Sequence, residues 1–160
     1  DETGENAWCA VEENGLRMQL DGRTSRESSL NSNTILGTWR PLHCTSTGKA
    51  MLSRFSRQRV ASIIDQHGLI ERTENTITDR DRLLEELEQV RERGYAVSRG
   101  ENVNGIYSVG APIVDEGSDT VGALSLTVPE SRYTDTYSEE ELIPPLLAAT
   151  NEVQWELVYE

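Results

Sequence analysis

The stretch GIYSVGAPIVDEGSDTVGALSLTVP, residues 105–129, consists of two runs with the composition of β-strands around a short polar turn. Both runs contain β-branched and small apolar residues, and the four residues EGSD at 116–119 separate them. A tight turn makes consecutive strands antiparallel neighbours. Residues 105–114 and 120–128 are therefore predicted to form a β-hairpin.

Three hydroxyl side chains of this hairpin are predicted to share one face of the sheet. Side chains alternate along a strand, so Ser125 and Thr127 point to one face while their neighbours point to the other. The turn brings Ser108 opposite residues 125–127. Hydroxyls grouped in this way would suit a small carboxylate. A face that is simply exposed to water fits the sequence equally well.

The remainder of the chain is predicted to contain short strands, then helices. Strand-like alternation or composition marks five other stretches, at residues 6–12, 15–21, 24–30, 34–39 and 95–98. The first two lie around Asn14 and Gly15, a pair that favours a tight hairpin turn. Two short helices are predicted next, one capped by Thr45 or Ser46 and one capped by Ser56. This order of elements describes an α+β domain with a mainly antiparallel sheet, and its helices are expected to cover at least one face.

The clearest helical pattern runs from about residue 79 to residue 93. Thr78 is predicted as its N-cap, and Gly94 follows its last residue. Ser138 and Glu141 have the spacing of a capping box in front of a final helix. The two prolines that follow must kink or restart that helix.

The chain is strongly acidic, with 28 acidic and 15 basic residues and a net charge of −13. Lys49 is its single lysine. A surface this negative would be repelled by a phosphate backbone, so the composition argues against direct binding to DNA or to an anionic membrane. Acid excess with almost no lysine indicates adaptation to high salt, and an ordinary acidic cytosolic protein is the alternative.

The length of 160 residues fits a single domain, residues 1–160. The sequence has no run of about 18 apolar residues and no basic-then-apolar leader, so it predicts no membrane span and a cytoplasmic location. The chain opens at Asp1 and enters a strand pattern almost at once. We therefore expect it to be a piece of a longer protein.

Residues 41–52, PLHCTSTGKAML, contain a Gly-Lys pair that in phosphate-binding loops opens a helix. That loop also needs a glycine five places before the pair and a serine or threonine after it. Here those positions hold His43 and Ala50. The glycine that wraps the phosphates and the hydroxyl that holds magnesium are both missing, so the segment argues against a nucleotide site.

His43 and Cys44 raise the question of a metal ion or a nucleophile. A nucleophilic pair needs the imidazole within hydrogen-bond reach of the sulfur, whereas neighbours in an extended segment point apart. Zinc would need further ligands, and Cys9 and His67 lie at no recognised spacing. The sequence favours a packed histidine and a small buried thiol, with no metal and no cofactor.

Taken together, these segments resemble the effector-binding domain of IclR-type transcriptional regulators. PLHCTSTGKAML resembles one signature of that domain. GYAVSRGENVNGIYSVGAPIVD followed by VGALSLTVPESRYT resembles its second signature, and the match covers roughly residues 3 to 158. The resemblance implies a GAF-like α+β fold, a small-molecule site commonly used by organic acids, and dimers that often pair into tetramers. It also implies a winged helix-turn-helix module upstream, through which alone DNA would be bound.

The resemblance also implies which residues contact the effector. Backbone contacts fall on Ser46 and Thr47, and the pocket side chains fall on five further positions: Ser98, Ile106, Ser108, Ser125 and Thr127. Aspartate is common in the family at the position of Ser98, and this chain departs from that pattern. Lys49 is expected to pair with Glu101 and hold the pocket loops, and direct contact with the ligand is the alternative.

The sequence thus predicts the ligand-sensing and oligomerising domain of an IclR-like regulator from a salt-adapted organism, without catalysis. Effector binding would favour one arrangement of the dimer and so change the spacing of the DNA-binding modules. Two alternatives stay open. One is a GAF-type sensor attached to another output, such as a kinase or a cyclase. The other is a redox enzyme that uses Cys44.

Overall fold

The structure is a computed structural model that describes residues 2–24, 39–115 and 121–159. Within these residues six strands form one sheet: β1 (Asn6–Glu13), β2 (Leu16–Arg23), β3 (Trp39–Pro41), β4 (Ala96–Arg99), β5 (Ile106–Val114) and β6 (Val121–Pro129). Their order is β3-β2-β1-β6-β5-β4, and every neighbouring pair is antiparallel. The helices are α1 (Ser46–Leu52), α2 (Arg57–His67), α3 (Arg80–Arg93), α4 (Asp135–Tyr137) and α5 (Ile143–Tyr159). The predicted α+β class with an antiparallel sheet is confirmed.

Both predicted hairpins are present. The turn between β1 and β2 consists of Asn14 and Gly15, with φ angles of 54° and 78°, as a two-residue hairpin turn with positive φ at both positions requires. In the second hairpin Ser108 lies opposite Thr127, as expected. The turn predicted at 116–119 lies outside the described residues. The strand predicted at 24–30 also lies almost entirely outside the described residues. Of the strand predicted at 34–39, the structure describes Trp39, which begins β3.

The first two helices begin at the predicted caps, and the third begins one residue later than expected. The Thr45 hydroxyl caps α1 and the Ser56 hydroxyl caps α2. Asp79, rather than Thr78, caps α3: its backbone is extended and its carboxylate accepts a hydrogen bond from the Arg82 amide at 3.1 Å. A carboxylate at this position also complements the positive end of the helix dipole, which a threonine hydroxyl does not.

The capping box predicted at Ser138 and Glu141 is wrong. Thr134 caps α4 instead, and helical winding continues from there through a wide turn at Ser138–Leu142 into α5. The Ser138 amide already donates to the Thr134 carbonyl at 2.9 Å, so there is no free helix start at Ser138 to cap. The two prolines are the second and third residues of α5, where the winding passes from the wide turn into the regular helix.

Helices cover both faces of the sheet. The core on the first face, which we call the α1 face, joins strands to α1, α2 and α3 through Ala10, Leu42, Ala50, Met51, Leu52, Phe55, Val60, Ile77, Leu83, Leu87, Val90, Ala96 and Ala123. The core on the second face joins strands to α5 through Val109, Ala111, Leu126, Val128, Leu142, Ile143 and Leu146. Among the described residues, no helix is both long enough and apolar enough to cross a membrane.

Candidate functional site

The start of α1 rests on the sheet face that carries the predicted hydroxyls. The Ser108 hydroxyl of β5 donates a hydrogen bond of 2.7 Å to the Ser46 hydroxyl of α1. Gly110 lies two residues further along β5, and a Cβ atom there would come within 2.7 Å of the Ser46 carbonyl carbon and 2.9 Å of the Thr47 nitrogen. The missing side chain at Gly110 therefore allows α1 to begin directly against the strand.

The strand register gathers hydroxyls from three strands on this face. Ser98 of β4 lies opposite Ser108, and Ser108 lies opposite Thr127 of β6. Ser125 is two residues from Thr127 on the same strand, so it points to the same face one row away. We call these residues, together with Ser46, whose hydroxyl contacts Ser108, the hydroxyl cluster: Ser46, Ser98, Ser108, Ser125 and Thr127.

The hydroxyl cluster is not an open, hydrated surface. Ser46, Ser98 and Ser125 are only 2%, 4% and 5% exposed, and Ser108 and Thr127 are half-buried. The Ser98 hydroxyl donates to the Cys44 carbonyl at 3.3 Å. A face simply exposed to water, the alternative that the sequence left open, is therefore wrong.

Thr47 and Ile106 complete the residues expected at the site. Thr47 is buried, with its hydroxyl 3.5 Å from that of Thr45, and Ile106 is half-buried on the same face of β5 as Ser108. The capping hydroxyl of Thr45 accepts from the Gly48 amide at 3.0 Å. The amides of Ser46 and Thr47 come before Gly48 in the first turn, where an amide has no acceptor within the helix, and the Thr45 hydroxyl is taken by Gly48.

Lys49 forms the predicted ion pair in the interior. It is 1% exposed, and its ammonium group lies 2.9 Å and 3.1 Å from the two carboxylate oxygens of Glu101. The same group donates to the Val97 carbonyl at 2.6 Å and lies 3.4 Å from Glu86. An ammonium has three hydrogens, and these three partners use them all, which favours a structural role over contact with a ligand.

His43 and Cys44 do not form a catalytic pair. His43 donates from Nε2 to the Ile70 carbonyl at 2.9 Å, and burial lowers the pKa of its imidazole. The Cys44 sulfur lies 3.7 Å from the Asn102 side chain, and burial raises the pKa of the thiol, so the reactive thiolate is disfavoured. In the described part of the chain, no group of three or more histidine, cysteine, aspartate or glutamate side chains is arranged to hold a metal ion.

Sequence reasoning missed two buried polar residues of β2. Arg17 and Gln19 are 9% and 2% exposed, and the Arg17 guanidinium donates from Nη1 to the Gln19 side-chain oxygen at 3.0 Å. Both residues alternate with apolar neighbours, a pattern that by itself places them in water. Only the packing of α1 and its preceding loop over this face reveals their burial.

A separate cavity of about 310 Å³ lies beside the first turns of α5. Its lining is largely apolar and includes Ala7, Cys9, Leu124, Ser125, Leu126, Pro145, Leu146 and Ala149. Ser125 is the one residue of the hydroxyl cluster in that lining. Burial and the nearby Asp21 carboxylate raise the pKa of the Cys9 thiol, so this cysteine is also held as a neutral thiol.

Comparison with known proteins gives a consistent result. Residues 2–155 match the model of the family described as bacterial transcriptional regulator IclR C-terminal. The HTH-type transcriptional repressor AllR of Escherichia coli K12 is 36% identical over 143 residues, which cover 88% of this chain and 52% of the relative. The chain thus spans about half the length of the curated relatives it matches.

Solved structures agree in fold. The IclR protein of Thermotoga maritima superposes with a TM-score of 0.91 at 30% identity, over 98% of this chain and 63% of the other. The inducer-binding domain of the PobR transcription factor from Acinetobacter, a double mutant in complex with 3-hydroxybenzoic acid, superposes with a TM-score of 0.84 at 26% identity. That match covers 95% of this chain and 89% of the PobR domain.

Proposed function

The chain belongs to the IclR family of bacterial transcriptional regulators as their effector-binding C-terminal domain, and we propose that it senses a small organic acid through the hydroxyl cluster. The observation that carries this proposal is the 2.7 Å hydrogen bond between Ser46 and Ser108. It joins the first turn of α1 to the sheet at the point where three strands present hydroxyls. A ligand bound there would contact the helix and the sheet together.

The chemistry of the hydroxyl cluster suits an acid. Hydroxyls can donate to a carboxylate, and the backbone amides of Ser46 and Thr47 at the start of α1 are two further donors. Ser98 is neutral, so it does not repel an anion as the aspartate common in the family would. Ile106 supplies an apolar wall for the carbon skeleton. We assign to the pair Lys49 and Glu101 the role of fixing α1 against the loop after β4.

DNA binding is proposed to reside in a winged helix-turn-helix module outside residues 1–160. The relatives are named as transcriptional repressors of the helix-turn-helix type and are about twice as long as the matched segment. The net charge of −13 argues against DNA binding by this domain itself. The same relatives favour transcriptional output over a kinase or a cyclase, and the neutral, buried Cys44 thiol gives no support to a redox enzyme.

The domain is proposed to assemble into dimers or tetramers through which the effector acts. The last turns of α5 carry four exposed apolar side chains, Trp155, Leu157, Val158 and Tyr159, and two of their rings lie 4.2 Å apart. Such a patch is unusual on a monomer this acidic. An effector that binds one dimer arrangement better would shift its population and so the spacing of the attached DNA-binding modules.

A thermal-shift screen tests the proposal. Small organic acids, with 3-hydroxybenzoate among them because a structural relative binds it, are added at constant ionic strength. An acid that binds only the folded domain raises the melting temperature by mass action. We expect at least one acid to do so and its amide to fail. The proposal is wrong if active acids raise the melting temperature equally in the wild type and in a Ser108→Ala, Thr127→Val variant.

A further inference from the structure

Arg17 and Gln19 lie on the same face of the sheet as the hydroxyl cluster. Gln19 is opposite Ala10 of β1, and Ala10 is opposite Ala123 of β6. Ala123 is two residues from Ser125 on one strand, so all these side chains point toward α1. The polar character of this face therefore extends beyond the hydroxyls into β2.

Hydrogen-bond donors of both residues are enclosed and unsatisfied. Arg17 donates from Nη1 to the Gln19 oxygen, which turns the amide nitrogen of Gln19 away from that contact. Arg17 Nε and Gln19 Nε2 are buried and have no hydrogen-bond partner in the described part of the chain. A buried donor without an acceptor is destabilising, so two such donors on one strand indicate an acceptor that the described residues do not supply.

The charge of Arg17 is also uncompensated among the described residues. The carboxylate opposite it in the register, Glu12, is held by Arg59 at 2.8 Å. On its other side β3 places a second arginine, Arg40, directly opposite Arg17. Burial lowers the pKa of Arg17, the nearby Cys44 opposes that change, and Arg40 adds to it. Two arginines directly opposite each other repel, and an anion between or beside them would relieve that repulsion.

We infer that Arg17 and Gln19 form a second anion-binding subsite, and that the effector is a dicarboxylic acid. One carboxylate binds at the hydroxyl cluster and the other at the guanidinium and amide of β2. Charge-assisted hydrogen bonds from arginine to carboxylate are the strongest of their kind in proteins. The inference rests on the proposed function, because it names the class of acid that the same face would sense.

The spacing of the two subsites suits a short diacid. Gln19 and Ser125 are two strands and one row of side chains apart, which corresponds to about 12 Å between Cα atoms. The side chains of Arg17 and Gln19 reach inward over part of that distance. Because Nε is enclosed, a carboxylate can reach it only when the atoms around it move, so ligand entry is coupled to a local rearrangement.

The test compares diacids with monoacids of the same length on three proteins. The diacids are oxalate, malonate, succinate and glutarate, and their partners are acetate, propionate, butyrate and valerate, all titrated at constant ionic strength in KCl. The proteins are the wild type, Arg17→Met and Arg54→Met. Arg54 is exposed, so its replacement removes the same charge without touching the face. Dissociation constants come from calorimetry and melting temperatures from circular dichroism.

We expect at least one diacid to bind the wild type and Arg54→Met about tenfold to a hundredfold more tightly than its matched monoacid. Arg17→Met should lose this preference and, without ligand, melt no lower than Arg54→Met, because an uncompensated buried charge has been removed. The inference is overturned if no diacid binds better than its partner, or if Arg17→Met keeps the preference. It is also overturned if Arg17→Met melts well below the control, which would show a structural role, or if KCl alone saturates the site, which would show a chloride site.

A further variant separates this inference from the proposed function. Ser125→Ala alters the hydroxyl cluster and leaves Arg17 in place. If Ser125→Ala loses all acid binding and Arg17→Met keeps the diacid preference, only the second subsite is contradicted. If Arg17→Met loses the preference and Ser125→Ala binds acids as the wild type does, the hydroxyl cluster is contradicted and the arginine subsite is retained.

Discussion

Replacement of Lys49 by methionine is expected to reduce the free energy of unfolding by about 3–5 kcal/mol, the range found when one partner of a buried ion pair is removed. The ammonium is 1% exposed and the Glu101 side chain is 9% exposed, so neither charge is well hydrated. Without Lys49, Glu101 would keep one described hydrogen bond, from the Arg99 amide at 3.0 Å. The carboxylate would then be buried with no ion pair among the described residues. Urea unfolding followed by circular dichroism, at fixed KCl concentration, measures the loss.

Two further variants sharpen this measurement. A Lys49→Met, Glu101→Met double variant should recover most of the loss, because well-packed apolar side chains often replace a buried pair without destabilisation. Arg57→Met breaks an exposed pair with Glu88 and should change the unfolding free energy by no more than about 1 kcal/mol. If Lys49→Met is no less stable than Arg57→Met, the pair does not hold α1 to the loop after β4, and its assigned role is refuted.

Three other properties of the chain should be measurable. The melting temperature should rise from dilute buffer to molar KCl, because salt screens the self-repulsion of a chain with net charge −13. An unchanged melting temperature would contradict the prediction of salt adaptation. Sedimentation in molar salt should show a dimer or tetramer, and Trp155→Ser with Tyr159→Ser should shift it toward monomer, whereas an unaltered assembly would exclude the end of α5 as the interface. Alkylation of Cys44 at pH 8 should be much slower than that of a free thiol, because its raised pKa leaves less thiolate at that pH. His43→Ala and Cys44→Ala should lower stability more than they lower acid affinity. A larger loss of affinity than of stability would place these residues in the binding site.

Local signals were sufficient for the elements that depend on local chemistry. The two-residue turn at Asn14 and Gly15 and the alternation in β5 and β6 specify their hairpins without help from the rest of the fold. Thr78 and Asp79 are adjacent and either could cap α3, so the sequence alone does not decide between them. Asp79 is the cap in the structure, and its carboxylate also interacts favourably with the positive end of the helix dipole.

Burial in β2 shows what the sequence could not supply. Alternation alone would place Arg17 and Gln19 in water and Leu20 inside, whereas Gln19 is 2% and Leu20 48% exposed. The register between β1 and β2 shifts at Cys9 and Ala10, and the face is covered by elements distant in sequence. Those distant elements determine which face of the strand is buried. The burial of Arg17 and Gln19 is therefore visible only in the folded structure.

Calorimetric titration of the tightest acid from the screen into the wild type, Ser125→Ala and Thr127→Val measures directly whether the hydroxyl cluster binds the effector. A hydroxyl bonded to a charged ligand is worth roughly 1.5–3 kcal/mol, or about tenfold to a hundredfold in affinity. Each variant should therefore bind at least about tenfold more weakly than the wild type, with an unchanged circular dichroism spectrum. Wild-type affinity in both variants would contradict the claim that the hydroxyl cluster is where this domain senses its effector.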